Sequence, residues 1–149
     1  MVLVVDTSVA VKWVVPESGE GIEHGTELAL DLLAQGLTAP DCIHGEFANA
    51  LYKKVRRGEI GEEQARQAVS LLPTLVGFLP VGLFVGPALE LAFRLSHSVH
   101  DCVYLAVAIH MGIPMVSADL KFVDKCRGYD LALPAFALGE DLTSGGATA

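Results

Sequence analysis

Cations are scarce in this chain: Lys and Arg number 10 against 18 Asp and Glu, giving a formal net charge of −8. Broad, sequence-independent nucleic-acid binding relies on positive surface, so this balance argues against it. An acidic balance fits a basic protein partner. It also fits carboxylates massed around a cation, because a bound metal reverses the local field. Cysteine is nearly absent. Cys42, Cys102 and Cys126 form no C-x-x-C pair, and their number is odd. Neither a disulfide framework nor a structural zinc site is expected, and a reducing cytoplasm is the simplest home. The histidines, His24, His44, His97, His100 and His110, show no recognised ligand spacing. The N-terminus lacks a basic start and Asp6 breaks its apolar run, so no secretory signal is indicated. There is no internal repeat.

Charge is also missing between Arg66 and Glu90. That stretch is long enough to cross a bilayer core of about 30 Å. Pro73, Gly77, Pro80, Gly82, Gly86 and Pro87 interrupt it, and a helix with so many breakers is a poor membrane span. A buried strand between two helices explains it better.

What is present is aliphatic. The 149 residues are 52% hydrophobic and 19% charged. A chain of this length buries roughly 68–70% of its unfolded surface and needs no staple. Residues 1–140 read as a single domain and 141–149 as a disordered tail, with Thr143 to Ala149 its loosest part.

Val2-Leu3-Val4-Val5 is apolar on both faces, as in a central parallel strand. Thr7 or Ser8 is expected to cap a short helix over Val9–Val14. Glu17–Gly25 reads as a loop and Thr26–Ala34 as a helix. Leu37–Pro40 is a second strand. Ile43–Arg57 and Gly61–Leu72 read as helices. A third strand, kinked at Pro80, is expected over Gly77–Val85, then a helix over Ala88–Leu95. His97–His100 is a connection into an apolar helix, Asp101–Met111. Pro114–Ser117 is a fourth strand, Phe122–Cys126 a short helix, and Leu131–Leu133 a last edge strand. Alternating strands and helices of this kind predict an α/β fold with a mostly parallel sheet.

Sites in such sheets gather at the carboxyl ends of the strands. Asp6 ends the first strand and Asp119 follows the fourth. Glu46 and Asp101 lie near the starts of helices. Four carboxylates together repel one another unless neutralised, and one would take up a proton. Mg²⁺ or Mn²⁺ removes that penalty, prefers oxygen ligands and lowers the pKa of an attacking water. Ser8 and Ser117 could offer hydroxyls to a water or phosphate. Each acid alone has an ordinary reading: Asp6 a helix cap, Glu46 a solvated helix residue, Asp101 a helix-terminal charge, Asp119 a turn former.

The contexts of these acids together resemble the PIN domain. Val4-Val5-Asp6-Thr7-Ser8 resembles its opening strand and first acid. Ala39-Pro40 with Glu46-Phe47-Ala48-Asn49-Ala50-Leu51 resembles its second acidic helix. Ser98 to Ala108, with Asp101, resembles its third, and Val116-Ser117-Ala118-Asp119 followed by Phe122 its fourth. The match runs from Met1 to about Pro134 and is nearest to VapC-type toxins of toxin–antitoxin pairs. Ser117 stands where Thr is also common, and His100 fills a variable place.

The resemblance implies a three-layer α/β/α fold and an Mg²⁺- or Mn²⁺-dependent endoribonuclease, often a homodimer. It implies Asp6 and Asp101 as principal metal ligands, with Glu46 and Asp119 completing the pocket. It also implies an RNA substrate and a cognate antitoxin.

Two other functions compete. A haloacid-dehalogenase-type phosphatase wants a second Asp two residues after the first, and Ser8 stands there. A non-catalytic partner-binding module fits the acidic, apolar composition but leaves four carboxylates unexplained. Lys53, Lys54, Arg56 and Arg57 form a basic patch that could track RNA or an acidic partner. The plainer reading is a solvated helix end whose cations suit the dipole. Lys12 and Arg94 are further candidates for phosphate contact, and Trp13 for a core or interface anchor.

Overall fold

A computed structural model describes residues 1–15 and 22–142. Its sheet has five parallel strands: β1 (Val2–Val5), β2 (Gly36–Pro40), β3 (Gly77–Leu79), β4 (Met115–Ser117) and β5 (Ala135–Ala137). Their order is β3-β2-β1-β4-β5. Seven helices are present among the described residues: α1 (Thr7–Lys12), α2 (Ile22–Asp31), α3 (Ile43–Arg56), α4 (Glu62–Leu75), α5 (Val85–Leu95), α6 (Val99–Met111) and α7 (Leu120–Tyr129). The expected three-layer α/β/α architecture is present.

The layers follow from handedness. The chain steps outward from β1 to β2 to β3, then returns past β1 to β4 and β5. Right-handed crossovers therefore put α1–α4 on one face and α5–α7 on the other. The packing agrees: α1 lies against α2 and α3, and α3 against α4, whereas α5 lies against α6 and α7. Helix α6 crosses β1, β2 and β4. Its residues Cys102 to Ala108 are all buried, which explains why that helix is apolar all round. Tyr104, Phe47 and Phe122 are among the largest fully buried side chains.

Several expected boundaries move, for local reasons. Asp6, not Thr7 or Ser8, caps α1, so the helix begins before Val9. Ile22–Gly25, expected as loop, belongs to α2; residues 16–21 lie outside the described residues, as does the tail 143–149. Helix α4 runs through Pro73 to Leu75. The third strand stops at Leu79, because Pro80 leads into a 3₁₀ turn over Val81–Leu83. The Val81 amide bonds Asp41 Oδ1 at 2.9 Å. Helix α5 starts at Val85 and carries Pro87 in its first turn, where a missing N–H is harmless. Helix α6 begins at Val99, inside the expected connection, and α7 is longer than Phe122–Cys126.

The last strand is Ala135–Ala137, after Pro134, and not Leu131–Leu133. Asp130 bends the earlier segment into a turn, its carboxylate accepting the Ala132 amide at 2.9 Å and its carbonyl the Leu133 amide at 3.1 Å. No helix among the described residues is long and apolar enough to cross a membrane.

Candidate active site

The topology collects helix starts at one edge. Helices α1, α3 and α7 follow directly from the C-terminal ends of β1, β2 and β4. Helix α6 precedes β4 and runs back against it, so it too starts at that edge. Asp6 caps α1 and Asp119 caps α7. Glu46 and Asp101 sit in the first turns of α3 and α6. Four carboxylates thus meet four helix N-termini, whose partial positive charge favours them. Strand β1 lies between β2 and β4, so the chain reverses its order there, as at the binding crevices of open α/β sheets.

Asp6 is 9% exposed. Its Oδ1 accepts the Ser8 hydroxyl at 2.5 Å and the Val9 amide at 3.3 Å. Its Oδ2 accepts the fully buried Ser117 hydroxyl. The serines are held in turn: Ser8 Oγ accepts the Ala118 amide at 2.9 Å, and Ser117 Oγ the Asp119 amide at 3.0 Å. This web ties the end of β1 to the end of β4. Both serine hydroxyls donate to Asp6. Burial pushes the Asp6 carboxyl up to about 6, against the pull of the two serines and with a further push from Asp101.

Glu46 is held separately. Its Oε2 accepts Thr7 Oγ1 at 3.1 Å and the Tyr104 hydroxyl at 3.2 Å. Its Oε1 is buried and has no hydrogen-bond partner among the described residues. Burial drives the Tyr104 phenol far above its ordinary range, so it stays a donor. The sequence offered Thr7 only as a helix cap and did not single out Tyr104. The available signals were weak: Thr7 follows Asp6, and Tyr104 lies three residues beyond Asp101 on the same helix face.

Asp101 and Asp119 come together, and they bring a residue the sequence had set aside. One ligand atom from each of His97, Asp101 and Asp119 lies within 4.8 Å of the others. His97 Nε2 is 2.6 Å from Asp101 Oδ2, which also accepts Ser98 Oγ at 3.3 Å. Asp119 Oδ1 accepts the Phe122 amide at 3.2 Å. Asp6 and Glu46 stand outside this trio, each on its own hydroxyls. The Asp119 backbone amide links to Asp6 through Ser117, and Glu46 bonds Thr7, the residue next to Asp6 in the chain. The His97–Asp101 spacing of four residues was visible, but His97 precedes α6, so helical spacing did not flag it.

A hard divalent cation suits this donor set. Carboxylate oxygens dominate it, Glu46 Oε1 is a buried acceptor with no donor among the described residues, and burial raises the Asp6 carboxyl, which a counter-charge would offset. Thiolate ligation does not suit it: burial pushes Cys42 and Cys126 up to about 12 and Cys102 up to about 11.

No protein-family profile matches the chain. Individual relatives do. A protein of Pyrobaculum aerophilum called Ribonuclease VapC3 is 30% identical over 129 residues, spanning 84% of this chain and 95% of that protein. The chain belongs to the VapC ribonuclease family.

A second relative, Ribonuclease VapC1 of Mycobacterium tuberculosis, is 35% identical over 87 residues, 56% of this chain. That match spans 62% of the mycobacterial protein's own length, under two thirds. Among solved structures, a Pyrobaculum aerophilum protein superposes with a TM-score of 0.66 at 20% identity, covering 99% of this chain and all of that one. Mycobacterium tuberculosis VapC20, a toxin that cleaves the sarcin–ricin loop, gives 0.58 at 22% identity over 78% of this chain and 87% of its own. The VapBC2 complex of Rickettsia felis, bound to a promoter DNA fragment, gives 0.59 at 12% identity over 92% of this chain and 98% of that one. At these identities the structural likeness is one of fold.

Proposed function

We propose that this chain is a divalent-metal-dependent endoribonuclease and the toxin member of a toxin–antitoxin pair. The observation that carries the reading is that Asp6, Glu46, Asp101 and Asp119 all lie at helix starts on the carboxyl-end edge of the sheet, with Asp101 and Asp119 within 4.8 Å of each other, the Asp6 carboxyl raised by burial, and Glu46 Oε1 buried without a partner among the described residues. Membership of the VapC ribonuclease family supports RNA as the substrate.

Asp6 and Asp101 are the principal ligands in this reading, with Asp119 and Glu46 completing the pocket. Mg²⁺ or Mn²⁺, when bound, supplies the positive field that polarises a phosphodiester and makes a water acidic enough to attack it. The protein's own share is to hold the acids in place. Ser8 and Ser117 fix both Asp6 oxygens, Thr7 and Tyr104 fix one Glu46 oxygen, and the α7 cap fixes Asp119. Hydrolysis by water leaves a 5′-phosphate and a 3′-hydroxyl. The acidic surface suits a basic antitoxin segment better than naked RNA, and the fold likeness to the VapBC2 complex supports an antitoxin partner. A homodimer and a cytoplasmic home belong to the same reading.

Incubation with RNA substrates and Mg²⁺ or Mn²⁺, beside an Asp6→Asn control, tests it. Cleavage is expected from the wild-type chain alone and is abolished by EDTA. Equal cleavage by the control would remove the assignment.

A further inference from the structure

His97 lies just before α6 and packs against α7. Its ring stacks on Phe122 of α7, with centroids 4.4 Å apart and planes 25° apart. Its Nδ1 faces Lys125 Nζ of the same helix at 3.4 Å. That ammonium is itself oriented by the Ser96 carbonyl at 2.9 Å. An ammonium has only hydrogens to offer, so Nδ1 must accept. In the neutral ring the proton then sits on Nε2, which donates to Asp101 Oδ2 across 2.6 Å. This tautomer is assigned from the hydrogen-bond network. The side chain is 18% exposed and that of Asp101 43%, so a half-open carboxylate is tied to a partly buried ring.

We propose that His97 is a positioning residue for Asp101. Its Nε2–H and the Ser98 hydroxyl occupy Oδ2 together and leave Oδ1 as the oxygen without a side-chain donor among the described residues. Because Phe122 and Lys125 belong to α7, which Asp119 caps, the imidazole also sets α6 against α7. One ring thereby fixes two of the four carboxylates relative to each other. The inference rests on the metal-site reading above and deepens it: His97 is a group that acts on the cation through Asp101, not a ligand to it. Histidine is a common direct ligand, but here the nitrogen nearest the acids is the one that carries the proton.

The test is Mn²⁺ binding to the full chain without RNA, by calorimetry. His97→Phe keeps the stack and loses the donor, His97→Ala loses both, and His97→Gln keeps an N–H donor. Loss of an outer hydrogen-bond partner typically weakens metal affinity about 10- to 100-fold, and that is the fall expected for His97→Phe and His97→Ala. His97→Gln is expected to bind within about threefold of wild type, since it restores the donor. Imidazole ¹⁵N shifts of the wild type are expected to report the Nε2–H form.

Wild-type Mn²⁺ affinity in both His97→Phe and His97→Ala would overturn the proposal, as would failure of His97→Gln to recover it, or an Nδ1–H ring. A loss of Zn²⁺ affinity far exceeding that of Mn²⁺ would make His97 a direct ligand and overturn it too. Asp101→Asn separates the two levels. If it binds Mn²⁺ like wild type, the metal-site reading falls and this inference with it. If it loses binding while the His97 variants do not, only the positioning role falls.

Discussion

Asp6 is held by three donors, yet its surroundings disfavour its charge. Burial wins, and the carboxyl rises from 3.8 to about 6. The folded protein therefore holds this proton more tightly than the unfolded chain does. The stability that this group contributes is complete below pH about 3.8, falls as pH rises through about 6, and is gone above it. A rise of that size corresponds to up to about 3 kcal/mol. Asp6→Asn, in EDTA, is thus expected to melt higher than wild type at pH 8, with the difference shrinking towards pH 4. Thermal scans across that range check it, and a lower melting temperature at pH 8 would contradict the burial argument. Ser117→Ala works in the opposite sense. It leaves Oδ2 of a buried carboxylate without its donor, which costs about 1–3 kcal/mol. The loss is expected to be larger at pH 8 than at pH 4.5, where the carboxyl is protonated, and urea melts at the two pH values measure it.

At the scale of the element, each acid is also part of a helix start, so its structural and chemical roles must be separated. Asp119 accepts the Phe122 amide as the cap of α7. Removing a cap by alanine costs about 1 kcal/mol, whereas asparagine caps as well as aspartate. Asp119→Ala is expected to lower stability by that amount. Asp119→Asn is expected to leave stability nearly unchanged while weakening Mn²⁺ binding. Denaturant melts and calorimetry on the pair check both halves. The far end of α6 offers a simpler case. Gly112 stops that helix at φ +66, with open space where a Cβ would stand. The left-handed backbone, and not crowding, makes Gly112→Ala unfavourable, by about 1 kcal/mol.

For the molecule as a whole, the net charge of −8 and the gathered acids set the response to ions. A cation that binds the folded site and not the unfolded chain stabilises by mass action, by about 2.7 kcal/mol at roughly a hundred times its Kd. Mn²⁺ is expected to raise the melting temperature more at pH 8 than at pH 5, because protons compete for Asp6 at the lower pH. EDTA should reverse the gain. An equal shift at both pH values would place the bound ion away from Asp6.

Much of this was legible in the sequence. Val2–Val5 announced a strand covered on both faces, because only a central parallel strand makes such a run profitable to bury. Asp6, Asp101 and Asp119 stood at recognisable element ends, and Glu46 depended most on the family resemblance. The segment Gly77–Val85 misled, because apolar content alone does not separate a strand from the 3₁₀ turn that Pro80 enforces. Leu131–Leu133 misled for the reason that Asp130 holds it in a turn. The sequence by itself determined the fold class and the order of most elements and proposed the four acids, since periodicity and end signals are local properties. Only the tertiary structure decided which groups hold those acids. Ser117 reaches Asp6 across 111 positions and Tyr104 reaches Glu46 across 58. His97 became a partner of Asp101 because α7 supplied Phe122 and Lys125 beneath it, a juxtaposition that arises only when distant helices pack at one sheet edge.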